Sequence, residues 1–314
     1  MIETHDLRKT FKSRKGAVEA VAGVDLDVKK GEIFGFLGPN GAGKTTTLRM
    51  LSTLLPPTSG QATVAGFDLL HESAKVRYEI GYVSQEGSSA PEVPGRTELV
   101  MQGRLYGMTK TRAEQRAVEL ITALELADCA DRPTKTFSGG QKRRLDIGIG
   151  LMHLPQLLFL DEPTTGLDPQ SRARMWDEVR KLRDTGTTVF LTTHYLEEAD
   201  ALCDRIAIID HGKIVAVGTP DDLKRQVAGD VVVVGTDNES DRVLQLLRGQ
   251  SFVREATAGD GLVRLYVDRG ETAMAQIIRA LDAEGIVLSS LSLNRPSLDD
   301  VFLRQTGRSL RDAA

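Results

Sequence analysis

The sequence predicts an α/β protein with a mainly parallel sheet and a helical insert, followed by a small α+β domain. Three observations predict it. Short apolar runs at residues 33–37, 80–83, 157–160, 188–192 and 206–209 alternate with helix-period segments, the pattern of parallel strands buried on both faces. A glycine-rich turn closes the first of these runs and opens a helix. Beyond residue 220 the order becomes strand, helix, strand, strand, helix, strand, which suggests a ferredoxin-like sandwich.

In chain order, the first 35 residues hold short β-like runs, with 18–28 alternating imperfectly. Ile33-Phe34-Gly35-Phe36-Leu37 reads as a buried strand ending in a loop. The helix after Lys44 places Leu48, Leu51, Leu54 and Leu55 in period, and Pro56-Pro57 stops it. Strand signals return over 61–83. From 86 to 136 the spacing of Leu99, Val100, Met101, Leu105, Ala113, Ala117, Leu120, Ile121 and Leu124 is helical. This insert and the helix after it make a helical subdomain over about 86–155. The main domain ends near Gly218-Thr219-Pro220, giving domains 1–220 and 221–314. The second domain reads as a helix at 221–226, then strands at 231–234, 252–256, 263–267 and 286–293 and helices at 240–247 and 272–284.

Composition excludes several functions. Of 314 residues, 40% are hydrophobic and 27% charged, which is ordinary for a globular protein. A net charge of −4 offers no electrostatic footprint for nucleic acid, so no nucleic-acid partner is expected. The two cysteines, Cys129 and Cys203, lack metal-ligand spacing and read as reduced thiols. The longest apolar stretch, 147–160, is interrupted by His153, Pro155 and Gln156 and falls short of the roughly 20 residues that span a bilayer. Met1-Ile2-Glu3-Thr4-His5 does not open as a signal peptide does. The expectation is a cytosolic chain, or one held at a membrane by a partner.

Gly38-Pro39-Asn40-Gly41-Ala42-Gly43-Lys44-Thr45, followed by Thr46, fits the P-loop pattern G-x-x-x-x-G-K-[ST] between a strand and a helix. Its glycines let successive backbone N–H groups face one anion, and the helix N-terminus adds positive potential. Lys44 is expected to reach the β- and γ-phosphates and the Thr45 hydroxyl to bind Mg²⁺. The buried run 157–160 ends in Asp161 and Glu162: Asp161 suits a Mg²⁺ partner, and Glu162 is placed to accept a proton from an attacking water. Gln85 follows the strand at 80–83, where it can sense Mg²⁺ or the γ-phosphate. His194 ends the strand at 189–193, where it can hydrogen-bond the γ-phosphate. Ser138-Gly139-Gly140-Gln141, after Phe137, opens another helix, with Lys142, Arg143 and Arg144 in its first turns. Two glycines in a first turn cost about 1 kcal/mol each, a cost that close approach to a ligand would explain. A plain serine N-cap is the competing explanation. With one nucleotide on the P-loop, this second turn is free to grip another, most simply one held by a second copy of the chain. The residues thus read as an ATP hydrolase.

This set resembles the ATP-binding subunits of ABC transporters. The P-loop, the glutamine loop at Gln85, the signature loop at 137–141, the acidic strand at 157–163, the Asp loop Gly166-Leu167-Asp168-Pro169 and the switch histidine His194 occur in the family's order over residues 1–220. Phe137 stands where leucine is usual, and Phe11 where the family keeps an adenine-stacking aromatic. The resemblance implies a P-loop NTPase fold of the ABC nucleotide-binding type. It implies ATP and Mg²⁺ as ligands and a head-to-tail dimer, with itself or a related ATPase, closed on two ATP molecules. Each ATP would lie between one copy's P-loop and the other's Ser138-Gly139-Gly140. Glu162 would be the general base, Gln85 and His194 would contact the γ-phosphate, water or Mg²⁺, and Asp168 would act across the dimer. The insert would dock a separate membrane permease, which places the chain at the cytoplasmic face of the membrane as a peripheral subunit. The tail, with Pro296-Ser297-Leu298-Asp299-Asp300-Val301-Phe302-Leu303 and Thr306-Gly307-Arg308, resembles the daunorubicin-resistance type of bacterial ABC ATPase. That type exports antibiotics, lipids or polysaccharides. Two alternatives compete: a non-transport ABC ATPase acting on ribosomes or nucleic acid, and a nucleotide-binding scaffold that no longer hydrolyses. One set of motifs and the acidic net charge oppose the first; intact Lys44, Asp161, Glu162 and His194 oppose the second.

Overall fold

The computed structural model describes residues 1–13, 16–227, 230–236, 239–259, 262–294 and 297–306. Pro296, Gly307 and Arg308, which carry part of the tail resemblance, lie outside the described residues. The chain divides into two compact units, Met1–Val217 and a second beginning at Gly218.

The first unit runs β1 (Ile2–Ser13), β2 (Gly16–Val28), β3 (Ile33–Leu37), α1 (Lys44–Leu51), β4 (Ser59–Val64), β5 (Phe67–Asp68), α2 (Ser73–Glu79), β6 (Ile80–Val83), α3 (Gly95–Leu105), α4 (Lys110–Ala123), α5 (Gly139–Leu151), β7 (Leu157–Asp161), α6 (Pro169–Asp184), β8 (Thr188–Thr193), α7 (Leu196–Leu202), β9 (Arg205–Asp210) and β10 (Lys213–Gly218). The six-stranded sheet has the order β10-β9-β3-β8-β7-β6, and β9, β3, β8, β7 and β6 are parallel neighbours. β3, β7 and β8 are buried at every position, so their uninterrupted apolar runs follow from two covered faces. Phe34, Phe36 and Phe159 pack around Phe190 with ring centroids 5.6–5.7 Å away.

The N-terminal strands lie outside the parallel sheet: β2-β1-β4-β5 form a separate antiparallel sheet, with Ile2 paired to both Val28 and Val64. Two features of this unit differ from the sequence reading. Residues 61–83 contain the helix α2 besides strands. Helix α1 ends at Leu51, short of Leu54 and Leu55. Thr53 takes a φ of 64°, and the amides of Leu54 and Leu55 both turn back to the Arg49 carbonyl, which closes the helix a turn before Pro56.

The second unit comprises α8 (Pro220–Val227), β11 (Asp230–Thr236), α9 (Ser240–Arg248), β12 (Val253–Gly259), β13 (Leu262–Val267), α10 (Gly270–Ala283), β14 (Leu288–Asn294) and α11 (Leu298–Thr306). Its sheet has the order β12-β13-β11-β14, with antiparallel pairings of β11 with β13 and β14 and of β12 with β13. Val232, Val234, Leu265 and Val267 face Val243, Leu247, Ile277 and Leu281 of α9 and α10 in one apolar core. Ile277 is fully buried there. Ile277→Val should therefore cost about 1 kcal/mol, read as a lowered urea midpoint of this unit.

Candidate active site

The parallel sheet gathers chemistry at one edge. β3 is followed by the P-loop, β8 by His194, β7 by Glu162 and β6 by Gln85, and these four strands are consecutive neighbours in the sheet. Parallel strands end on the same side, so the four segments converge at the carboxyl edge, where open α/β sheets bind ligands.

The P-loop is held by its backbone. The Gly38 amide donates to the Thr193 carbonyl and the Gly212 amide to the Ala42 carbonyl. Gly43 has φ 105°, and a Cβ there would stand 2.5 Å from the Ala20 carbonyl oxygen, so only glycine fits. That contact seats β2 beside the loop. Phe11, 43% exposed on β1, pairs with Val18, two residues from Ala20. The Lys44 ammonium donates to the carbonyls of Gly38 at 2.8 Å and Pro39 at 3.1 Å and lies 3.4 Å from Glu162 Oε1. Burial draws its pKa below the usual lysine value, while Glu162 opposes that.

Asp161 and Glu162 have separate partners. Asp161 Oδ1 accepts from the Thr45 hydroxyl at 3.2 Å and from the Thr192 hydroxyl at 2.6 Å. The Glu162 amide donates to the Thr192 carbonyl and hydroxyl, both at 3.1 Å. Glu162 takes a φ of 46°, a strained value that its amide contacts enforce and that is common at functional sites. Its Oε2 accepts from Gln85 Nε2 at 3.1 Å and from the Thr165 hydroxyl at 3.2 Å. His194 Nδ1 lies 3.2 Å from the same oxygen without meeting hydrogen-bond geometry. Burial pushes the Glu162 carboxyl up, but His194 and Lys44 outweigh it and hold it below the usual range. It is therefore an anion at neutral pH, the form that accepts a proton.

The donor set fits Mg²⁺. Thr45, Asp161 and Gln85 supply hard oxygen ligands beside a phosphate loop, and Mg²⁺ favours one or two carboxylates plus substrate phosphates over an all-protein cage. Among the described residues no cluster of three or more His, Cys, Asp or Glu side chains forms such a cage.

The second glycine turn opens α5. Ser138 caps the helix, its hydroxyl accepting from the Gln141 amide at 3.3 Å, and Gln141 Oε1 accepts from the Ser138 amide at 3.0 Å. This capping box accounts for the serine and glutamine but not for the glycines. A Cβ at Gly139 would meet Leu167 at 3.6 Å and one at Gly140 would meet Ser171 at 3.4 Å, both ordinary contacts. Neither contact excludes a side chain there. Asp168 caps α6 through the Ser171 amide at 2.9 Å and hydroxyl at 2.6 Å.

Several residues at the site escaped the sequence reading. Thr192 binds Asp161 and Thr165 binds Glu162, and their signal was polar character inside or just after buried strands. Arg143, seen before only as one of three basic residues, is buried; it donates to the carbonyls of Ser84 at 2.5 Å, Asp161 at 2.9 Å and Pro163 at 2.8 Å. Asp146, one turn on, accepts from the amides of Ser88 at 3.0 Å and Ser89 at 3.2 Å. Helix α5 thus grips the chain on both sides of Gln85. A cleft of about 550 Å³ between α4 and α6 reaches Gln156 and Thr187, at the opposite ends of β7 and β8, and is remote from this chemistry.

The chain is similar to known proteins along nearly its whole length. Residues 21–165 match the ABC transporter family, and residues 218–306 match the C-terminal domain of the ATP-binding protein DrrA1-3-like group. The daunorubicin/doxorubicin resistance ATP-binding protein DrrA of Streptomyces peucetius is 45% identical, over 99% of this chain and 94% of that protein. The linearmycin resistance ATP-binding protein LnrL of Bacillus subtilis is 40% identical, over 99% of this chain and 100% of that protein. The Nod factor export ATP-binding protein I of Ralstonia nicotianae is 36% identical, over 96% and 94%. Among solved structures, the ATP-binding cassette MJ0796, a dimer in a post-hydrolysis state bound to ADP and Pi, superposes with a TM-score of 0.64. It is 26% identical and covers 70% of this chain and 98% of its own.

Proposed function

The chain belongs to the ATP-binding subunits of ABC transporters, and on that premise we propose that it powers an exporter whose membrane-spanning part is a separate polypeptide. It is an ATP hydrolase. One observation carries the reading: Lys44, Gln85, Asp161, Glu162 and His194 converge at neighbouring strand ends, with Lys44, Gln85 and His194 all 3.1–3.4 Å from the Glu162 carboxylate. The P-loop amides and Lys44 bind the phosphates. Glu162 takes the proton of the attacking water, and His194 and Gln85 hold the carboxylate and the γ-phosphate in register. Thr45, Asp161 and Gln85 would hold Mg²⁺, which neutralises charge on the phosphates. Phe11 supplies a face for the adenine.

The dimer is head-to-tail, with a second copy or a related ATPase. Ser138, Gly139, Gly140 and Gln141 of one subunit complete the pocket begun by Gly38, Pro39, Asn40, Gly41, Ala42, Gly43, Lys44, Thr45 and Thr46 of the other, and Asp168 bears on that seam. The open glycines at 139 and 140 support this, since their Cβ positions face no obstacle within the chain. Among the described residues no helix is long and apolar enough to cross a membrane, which fits a peripheral subunit on the cytoplasmic face. The helical insert, with Met101 and Leu105 exposed on α3, suits permease docking. Export of a drug, antibiotic, lipid or polysaccharide follows the relatives named for resistance and Nod factor export. Residues 1–220 form the catalytic domain and 221–314 an accessory one.

The test is a paired fractionation. The protein should release phosphate from ATP only with Mg²⁺, and in lysates it should sediment with membranes and co-purify with a multi-spanning polypeptide. Sedimentation with ribosomes instead would overturn the exporter reading.

A further inference from the structure

Glu198 sits in the first turn of α7 with none of its surface exposed. A carboxyl group buried this deeply is costly unless its oxygens are used. Its Oε1 accepts from the Thr164 hydroxyl at 2.8 Å and from the Trp176 indole at 3.2 Å. Its Oε2 has no hydrogen-bond partner among the described residues. Burial raises the carboxyl's pKa, and the Thr193, Thr164 and Trp176 contacts and the Arg172 charge oppose the rise.

The elements that meet on Glu198 are the ones the reaction uses. Thr164 lies two residues beyond Glu162 on the path to Asp168. Trp176 belongs to α6, the helix that Asp168 caps. Glu198 itself lies four residues beyond His194. A second contact runs parallel: Arg172 of α6 stacks over Tyr195 at 4.5 Å, and the Tyr195 ring lies 4.1 Å from that of His194. Residues from three chain segments are thus tied together behind the site.

We propose that Glu198 is a positioning residue of ATP hydrolysis: by joining Thr164 and Trp176 to the helix behind His194, it carries movement of the Asp168 loop to the switch histidine. This rests on the ATPase reading above. Buried hydrogen-bond networks rigidify the elements they join. The residue touches no reacting atom, so its loss should slow the chemical step and spare nucleotide binding.

Trp176 is the protein's one tryptophan, so its emission reports on this junction directly. Glu198→Leu keeps the bulk and removes the acceptor; Glu198→Gln keeps the acceptor. In the full chain, Glu198→Leu should lower kcat about tenfold with KM for ATP within about twofold, and Glu198→Gln should restore kcat to within about twofold. In a Glu162→Gln background, ATP·Mg²⁺ should shift Trp176 emission when residue 198 is Glu or Gln and not when it is Leu. Should Glu198→Leu fail to fold, Thr164→Val, which removes one hydroxyl at nearly constant volume, carries the same expectations. Wild-type kcat in a folded Glu198→Leu protein would overturn the proposal. So would an emission shift that survives the change, or a loss of kcat that Glu198→Gln does not repair. The emission measurement needs only ATP binding, so it decides the proposal even if the wild-type protein shows no turnover, a result that would fault the ATPase reading instead.

Discussion

Glu162→Gln should lower ATP turnover by about 10²–10⁴-fold while leaving ATP binding nearly intact. General-base contributions fall in that range. The substitution is nearly isosteric, and the strained backbone at residue 162 is fixed by Thr192 through the amide, which the substitution leaves in place. What is lost is the anion. Glu162 is ionised because His194 and Lys44 outweigh the effect of burial. A neutral amide cannot take a proton from water, however well placed. Phosphate contacts from the P-loop amides and Lys44 remain, so KM and nucleotide affinity should change little. The proposed dimer, opening only after hydrolysis, should then persist with ATP·Mg²⁺, visible as doubled mass by light scattering. Turnover within about threefold of wild type would remove Glu162 from the role of base. Loss of nucleotide binding would show that the Lys44–Glu162 contact organises the phosphate loop itself.

The contrast between what could be read in advance and what could not has a physical origin. The P-loop, Gln85, Asp161, Glu162 and His194 were legible because each follows a strand whose apolar run marks it, and parallel strands end on one side. The order β9-β3-β8-β7-β6 turned sequence positions into a site. The strands and inner helices of the second unit were legible for a similar reason, since they alternate with clear periods; helix α11 was not read. The pairing of β1 with β4 was not, because the register of Ile2 with Val64 joins segments some sixty residues apart and no local pattern records it. Thr192, Asp146 and Glu198 were missed because their importance lies in backbone and hydroxyl partners from distant segments. Helix α5 held a usable clue. From Leu145 to Leu151 it is buried throughout, so a charge on it has to be paired, and Asp146 could have been flagged on that ground.

Arg143→Met should destabilise the first unit by about 3–5 kcal/mol, the range for removing one member of a buried charge group. The guanidinium is buried with three carbonyl acceptors: Ser84, one residue before Gln85, and Asp161 and Pro163, which flank Glu162. Burial presses its pKa downward, yet Asp146, Asp161 and Glu198 lie close enough to oppose this, and a guanidinium stays charged in proteins. Methionine fills much the same space but leaves three carbonyls without their donors, at about 1–3 kcal/mol for each that water cannot reach, and leaves nearby carboxylates without a counter-charge. Lysine would restore the charge but not the planar fork, so Arg143→Lys should recover only part of the loss. Trp176 lies in the same unit, so its fluorescence during urea denaturation follows the transition concerned. A loss under about 1 kcal/mol for Arg143→Met would mean that the three carbonyls find other donors. Activity should fall further than stability. Arg143 and Asp146 hold the chain before and after Gln85, while Arg143 also holds the turn that carries Glu162. Without that clamp Gln85 and Glu162 are no longer referred to a common helix. A folded Arg143→Lys protein with nearly normal stability and poor turnover would separate this alignment from mere support of the fold.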